Sequence, residues 1–178
     1  MIQLEHTDYI ASNADCVYQL VRDHLTELAS YLPSVHKIEQ IKSSQHSPTE
    51  TQIENHWYAS VELPKLIATY IPENLMRWKD SAHWNDETKQ VQYKLASFVG
   101  NQLFSAEGTN EFLADGEQRM ILKVSCQVEI HGDAIPGIPK ILSRRATPMI
   151  EKLIERMIAP NITSLGSGIK SYLQEHEA

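Results

Sequence analysis

The strongest constraint in this chain is the apolar stripe of its C-terminal quarter. Between Thr147 and Leu173, the residues Ile150, Leu153, Ile154, Met157, Ile158, Ile162, Leu165, Ile169, Tyr172 and Leu173 recur at helical spacing. That spacing predicts one long helix with a single buried face. Most of the preceding chain alternates with a period of two, the pattern of strands covered on one side. The cleanest case is 119–131, where Met120, Leu122, Val124, Cys126, Val128 and Ile130 alternate with mostly polar neighbours. A long helix laid on a curved sheet leaves room for a cavity between them.

The remaining elements follow in order. Residues 2–11 read as a first strand, with Ile2, Leu4, His6, Asp8 and Ile10 sharing one face. Ser12 or Asn13 caps a helix that runs to about Tyr31 and is stopped by Pro33. Its inward residues are Cys16, Val17, Leu20, Val21, Leu25, Leu28 and Leu32. Strands are predicted over 35–41, 51–61, 75–84, 90–97, 104–113 and 119–131. A polar turn is placed at 43–48, another at Val99-Gly100-Asn101 and a hairpin turn at Asp115-Gly116. Residues 65–71 read as one or two helical turns, and Ile135-Pro136-Gly137-Ile138-Pro139 ends the last strand. Thr147 and Pro148 read as the N-cap and first residue of the long helix. Pro160 predicts a kink, and Gly166 and Gly168 predict a looser second half with space beside it.

This order is an α+β meander, β-α-β6-α with short extra helices, in a single domain spanning 1–178. It resembles the helix-grip fold of the START and Bet v 1-like superfamily, also called the polyketide cyclase and lipid transport superfamily. The resemblance rests on the strand Ile2–Ile10 followed directly by the helix Ala14–Tyr31, the strand series from Val35 to Ile130, and the C-terminal helix. Glu62-Leu63-Pro64-Lys65-Leu66 after a strand, and Ile135-Pro136 before the last helix, add to it. It implies a curved antiparallel sheet of about seven strands wrapped around the long helix. It also implies a pocket between them for a hydrophobic small molecule or lipid, with enzymes a minority. The group shares no universal catalytic residues.

Composition narrows the functions further. A net charge of −7 argues against general nucleic-acid binding. No apolar run approaches the roughly 20 residues needed to span a bilayer. The first residues lack the basic start and apolar core of a signal peptide, so the expected location is cytoplasmic. Cys16 and Cys126 form no CxxC and are expected to be buried structural cysteines. The eight histidines are scattered without metal-ligand spacing, so no metal or cofactor is expected. Phosphate-loop, dinucleotide-binding, HExxH and GxSxG motifs are absent.

The candidate ligand site is therefore the inward face of the sheet with the helix above it. Polar residues on otherwise apolar faces carry the signal: His6, Asp8, Asn55, Asp80 and Asn110, with Tyr93. An unpartnered buried polar group costs about 1–3 kcal/mol, so a polar ligand head or bound water would account for several together. The apolar wall is expected from Trp57, Met76, Trp78, Phe104, Phe112, Met120 and Leu122, and from Met157, Leu165 and Ile169 on the helix. No catalytic residue is assigned. The alternatives are a cyclase/aromatase-like or hydrolase-like enzyme using His6, Asp8, Tyr93 or Asp80, and a protein-interaction module. Lys140, Arg144 and Arg145 begin a basic stretch on an acidic chain and could meet anionic lipid at a membrane surface.

Overall fold

The computed structural model describes residues 1–71, 73–98, 100–131 and 139–176, with only the backbone of Gly100, Asn101, Gln102 and Lys140. The predicted break at 135–139 therefore lies outside the described residues except for Pro139. Val99 of the predicted turn and the side chain of Lys140 also lie outside them.

Among the described residues, seven strands form one curved antiparallel sheet in the order β1-β7-β6-β5-β4-β3-β2. They are β1 (Ile2–Ile10), β2 (Val35–Ser47), β3 (Glu50–Ala59), β4 (Arg77–Asn85), β5 (Gln90–Ser97), β6 (Gly100–Ala114) and β7 (Met120–Ile130). Helices α1 (Ala14–Asp23) and α2 (Leu25–Leu28) follow β1, and α3 (Lys140–Thr163) and α4 (Leu165–His176) close the chain. Short 3-10 turns occupy Ala29–Tyr31, Ala68–Tyr70 and Glu73–Met76. The alternation read in the sequence sets the inward face. Ile53, Asn55 and Ala59 on β3, and Trp78, Asp80, Ala82 and Trp84 on β4, are buried together with the helix stripe.

Several local expectations are corrected. The polar stretch 43–48 is not a turn, because β2 runs to Ser47 and the chain reverses at Pro48 and Thr49. An edge strand needs only backbone pairing, so a run that is wet on both faces can still form the ladder, here with register shifts. The first helix breaks at His24 (φ −125°, ψ 24°) rather than running to Tyr31. Asn13 is its cap, and its side chain accepts from the amides of Asp15 and Cys16 at 2.9 and 3.3 Å. Its buried residues are Ala14, Val17, Tyr18 and Val21, which turns Cys16 out to solvent. Tyr18 could occupy the core because its hydroxyl donates to Asp86 Oδ1 at 2.8 Å. Cys126 is buried as expected.

The long helix begins at Lys140, before the predicted Thr147-Pro148 start. Pro148 sits inside it, and Thr147 Oγ1 donates to the Ser143 carbonyl at 2.9 Å instead of capping. Helical structure also continues through Pro160. The break falls at Ser164 (φ −105°, ψ 3°), whose amide donates to the Pro160 carbonyl at 2.9 Å. The break in helical structure therefore falls at Ser164, four residues after Pro160.

The glycines of α4 permit close packing rather than looseness. A Cβ on Gly166 would lie 2.0 Å from Asp8 Oδ2, and one on Gly168 would lie 3.2 Å from the Tyr31 carbonyl. Lys170, one turn after Gly166 on the same helix face, places Nζ 3.0 Å from Asp8 Oδ1. Asp8 thus fastens α4 onto β1.

Candidate functional site

Beneath the junction of α3 and α4 lies a partly open cavity of about 70 Å³. A buried water needs roughly 10–15 Å³ on such a measure, so the space corresponds to a handful of waters. Strand register explains its wall. Asp80 pairs with Leu95 in one row, Ala82 with Tyr93 in the next, and Trp84 with Val91 in the third. Val91 pairs in turn with Asn110, and Asn110 with Val124. All of these side chains line the cavity, and so do Trp57 and Trp78. Val21 and Leu25 close it from the first helices, and Ile158, Asn161, Ile162 and Leu165 cover it from α3 and α4.

The polar atoms in this wall are unevenly satisfied. Asp80 is 6% exposed. Its Oδ2 accepts from Asn55 Nδ2 at 3.3 Å and from Trp57 Nε1 at 3.1 Å. Its Oδ1 is buried with no hydrogen-bond partner. Asn110 Oδ1 and Trp84 Nε1 are in the same condition. Burial pushes the Asp80 carboxyl up to about 6, although the hydrogen bonds from Asn55 and Trp57 pull the other way. Asn161, by contrast, is satisfied: it donates to the Met157 carbonyl at 2.6 Å and accepts from the Ser34 amide at 3.2 Å.

Tyr93 lays its ring across Gly108, where a Cβ would sit 2.4 Å from the ring, and its hydroxyl donates to the Ser125 carbonyl at 3.2 Å. Burial above all, with Cys126 and Asp80 nearby, holds the phenol well above its ordinary value. Burial likewise raises the Cys126 thiol to about 11, so it is a thiol rather than a nucleophilic thiolate. Asp80 is the cavity group able to exchange a proton near neutrality.

Of the residues predicted from the sequence, Trp57, Trp78, Tyr93, Asn110 and Leu165 line the cavity. Asn55 stands one layer behind, holding Asp80. Phe104, Phe112, Met120, Leu122, Met157 and Ile169 are buried elsewhere in the core, and Met76 lies in the 3-10 turn before β4. His6 and Asp8 are not part of the wall. They sit on the edge strand β1, where His6 is half-exposed and its Nε2 lies 3.1 Å from Asp8 Oδ2 without hydrogen-bond alignment. The four-residue catalytic set His6, Asp8, Tyr93 and Asp80 therefore does not converge. Sequence reading placed Asp80 among the inward polar residues but not among the ligand contacts. Among the described residues there is no cluster of three or more side chains suited to a metal.

Wider hollows lie on the outer face of the sheet, one of about 490 Å³ lined by Gln52, Ser81, His83, Gln92 and Thr109. They are open and polar, so a ligand there would gain little from desolvation. The apolar cavity beneath α3 and α4 is the candidate site.

No protein-family model matches this sequence, and no curated protein matches it. Solved structures do. A protein of Thermus thermophilus superposes with a TM-score of 0.67 at 22% identity, over 99% of this chain and 100% of its own. An aromatase/cyclase from a Streptomyces species gives 0.60 at 15% identity, over 99% and 96%. A START superfamily protein of Mycobacterium smegmatis gives 0.52 at 11% identity, over 97% of each chain. This chain has the START/Bet v 1-like fold. At these identities the likeness concerns the helix-grip architecture alone. Within it, the cavity described above lies between the sheet and the C-terminal helices.

Proposed function

We propose that the chain binds a hydrophobic small molecule or lipid in this cavity, with the ligand's polar end directed at Asp80. The observation that carries the reading is the buried Asp80 carboxylate, its Oδ1 unpartnered, in a wall that is otherwise mainly aromatic and aliphatic, with Asn110 and Asn161. A ligand would gain from burial against that wall and would supply the missing hydrogen bond. The fold's likeness to an aromatase/cyclase and a START superfamily protein supports it. A space of about 70 Å³ is small for a whole lipid, so larger ligands require α3 and α4 to move away from the sheet.

The test uses the chain's own tryptophans. All three, Trp57, Trp78 and Trp84, line the cavity, so their fluorescence reports on its contents. Titration with a panel of apolar aromatic compounds and lipids is expected to shift that emission saturably. Ala82→Leu, which adds three carbons inside the cavity, is expected to abolish the response while the protein stays folded. A panel that leaves emission unchanged, or a response indifferent to Ala82→Leu, would overturn the proposal.

No described helix is long and apolar enough to cross a membrane. At the start of α3 Ile141 is 88% exposed, and Arg144, Arg145, Lys152 and Arg156 lie on the solvent side of the helix together with Glu151 and Glu155. We propose that this face meets an anionic bilayer, where each basic residue contributes about 1 kcal/mol. The double substitution Arg144→Glu, Arg145→Glu is expected to reduce co-sedimentation with phosphatidylserine-containing vesicles to background at low salt. Equal sedimentation of wild type and variant would contradict it.

A further inference from the structure

The carboxylate in the cavity has a consequence for ligand class. Asp80 has two neutral donors on Oδ2, Asn55 and Trp57, and none on Oδ1. No lysine, arginine or histidine is present among the described residues that line the cavity. Above neutrality the carboxylate therefore carries a buried charge that the protein itself leaves uncompensated. The indoles of Trp57 and Trp78 form the adjacent same-face row of the sheet. They stack with ring centroids 5.7 Å apart and planes 21° from parallel, and the Trp57 ring nitrogen is fixed on Asp80.

We infer that the cavity selects ligands with a positively charged nitrogen, seated beside the Asp80 carboxylate, and rejects ligands with an anionic head. The inference rests on the cavity being a ligand site and adds the charge of what enters it. A protonated amine supplies both the missing hydrogen bond and the missing positive charge. An alcohol of the same shape supplies only the hydrogen bond. A carboxylate would place a second negative charge beside the buried Asp80 in a mainly apolar cavity, where like charges repel. Free fatty acids and other anionic amphiphiles are therefore excluded from this cavity, even though its remaining wall is greasy enough to hold them.

The experiment compares three probes of one shape at pH 7.5: 2-phenylethylamine, 2-phenylethanol and phenylacetate. Tryptophan emission and calorimetry follow binding to the wild type and to Asp80→Asn. The amine is expected to bind the wild type about tenfold more tightly than the alcohol, and phenylacetate the most weakly. In Asp80→Asn the advantage of the amine over the alcohol is expected to disappear. A cooperative thermal unfolding transition shows that the variant is folded. If the alcohol or phenylacetate binds the wild type as tightly as the amine, the charge preference is wrong and the cavity reading stands. If the amine preference survives Asp80→Asn, the nitrogen is held elsewhere and the inference falls. If none of the three binds while other apolar compounds of the panel do, the inference falls and the cavity reading stands.

Discussion

Gly166→Ala is expected to lower the thermal midpoint by about 5–10 °C, whereas Gly168→Ala, two residues further along the same helix, leaves it unchanged or slightly raised. In isolation both substitutions favour the helix, since alanine is the better helix former by about 0.5–1 kcal/mol. Tertiary space decides between them. A Cβ at Gly166 would lie 2.0, 2.3 and 2.5 Å from Oδ2, Cγ and Cβ of Asp8. The last of these atoms is tied to the β1 backbone, so a side-chain rotation cannot relieve the overlap. Either α4 lifts from β1 or the strand shifts, and overpacking of this kind costs about 1–3 kcal/mol and occasionally more. At Gly168 the nearest atoms are the Tyr31 carbonyl at 3.2 Å and Leu32 Cδ2 at 3.4 Å, tight but accommodated by a small adjustment. Asp8→Gly supplies the control. It removes the atoms in the way, so Gly166→Ala should become neutral or stabilising in that background. An equal cost of Gly166→Ala with and without Asp8 in thermal denaturation would show that the clash is not the cause.

The same contact shows how far the sequence could be read. Periodicity placed β1 and α4 and put Asp8 on the inward face of its strand, and all of that came from the alternation of side chains. Which helix residue would cover Asp8 depends on how α4 crosses the sheet, and no local pattern encodes that. His6 and Asp8 therefore gave the same polar-on-apolar-face signal as Asp80. One pair, however, sits on an edge strand under a helix, and the other residue sits in mid-sheet under a gap. Trp57, Trp78, Tyr93 and Asn110 reached the cavity wall because strand faces are legible two residues at a time. Val21, Leu25 and Asn161 did not emerge, because they reach it through the packing of α1, α2 and α3. The start of α3 was misplaced for a different reason. Thr147-Pro148 has the chemistry of a helix start, but the residues before it are good helix formers, and the helix tolerates losing one backbone hydrogen bond inside. Cys16 was assigned inward because cysteine counts as apolar, while Tyr18 took the buried position once its hydroxyl had Asp86 to bond.

Asp80→Asn is expected to stabilise the ligand-free protein by about 2–3 kcal/mol at pH 7.5 and to have almost no effect near pH 4. The carboxyl is pushed from 3.8 up to about 6 by burial, so the folded chain holds this proton more tightly than the unfolded chain does. Between those values the folded state binds more protons than the unfolded state, and stability must fall as pH rises through that window. Below about 3.8 the group is protonated in both states and costs nothing. Above about 6 it is ionised in both, and the fold carries the full penalty of some two pKa units, or about 3 kcal/mol. Asparagine keeps the shape and removes the charge. Its oxygen can still accept from Asn55 and Trp57, and its amide would point where the bare Oδ1 now lies. For a chain of this length the gain corresponds to a rise of about 5–10 °C in thermal midpoint at pH 7.5. The wild type and variant curves should converge as the pH is lowered through about 6 towards 4. A variant no more stable than the wild type at pH 7.5, or a difference independent of pH, would mean that Asp80 is already compensated in solution. A buried charge that costs the empty protein this much marks the cavity as a candidate binding site. A cationic ligand is the partner that would remove the cost, so its stabilising effect should be greatest in the same pH range where Asp80→Asn helps most.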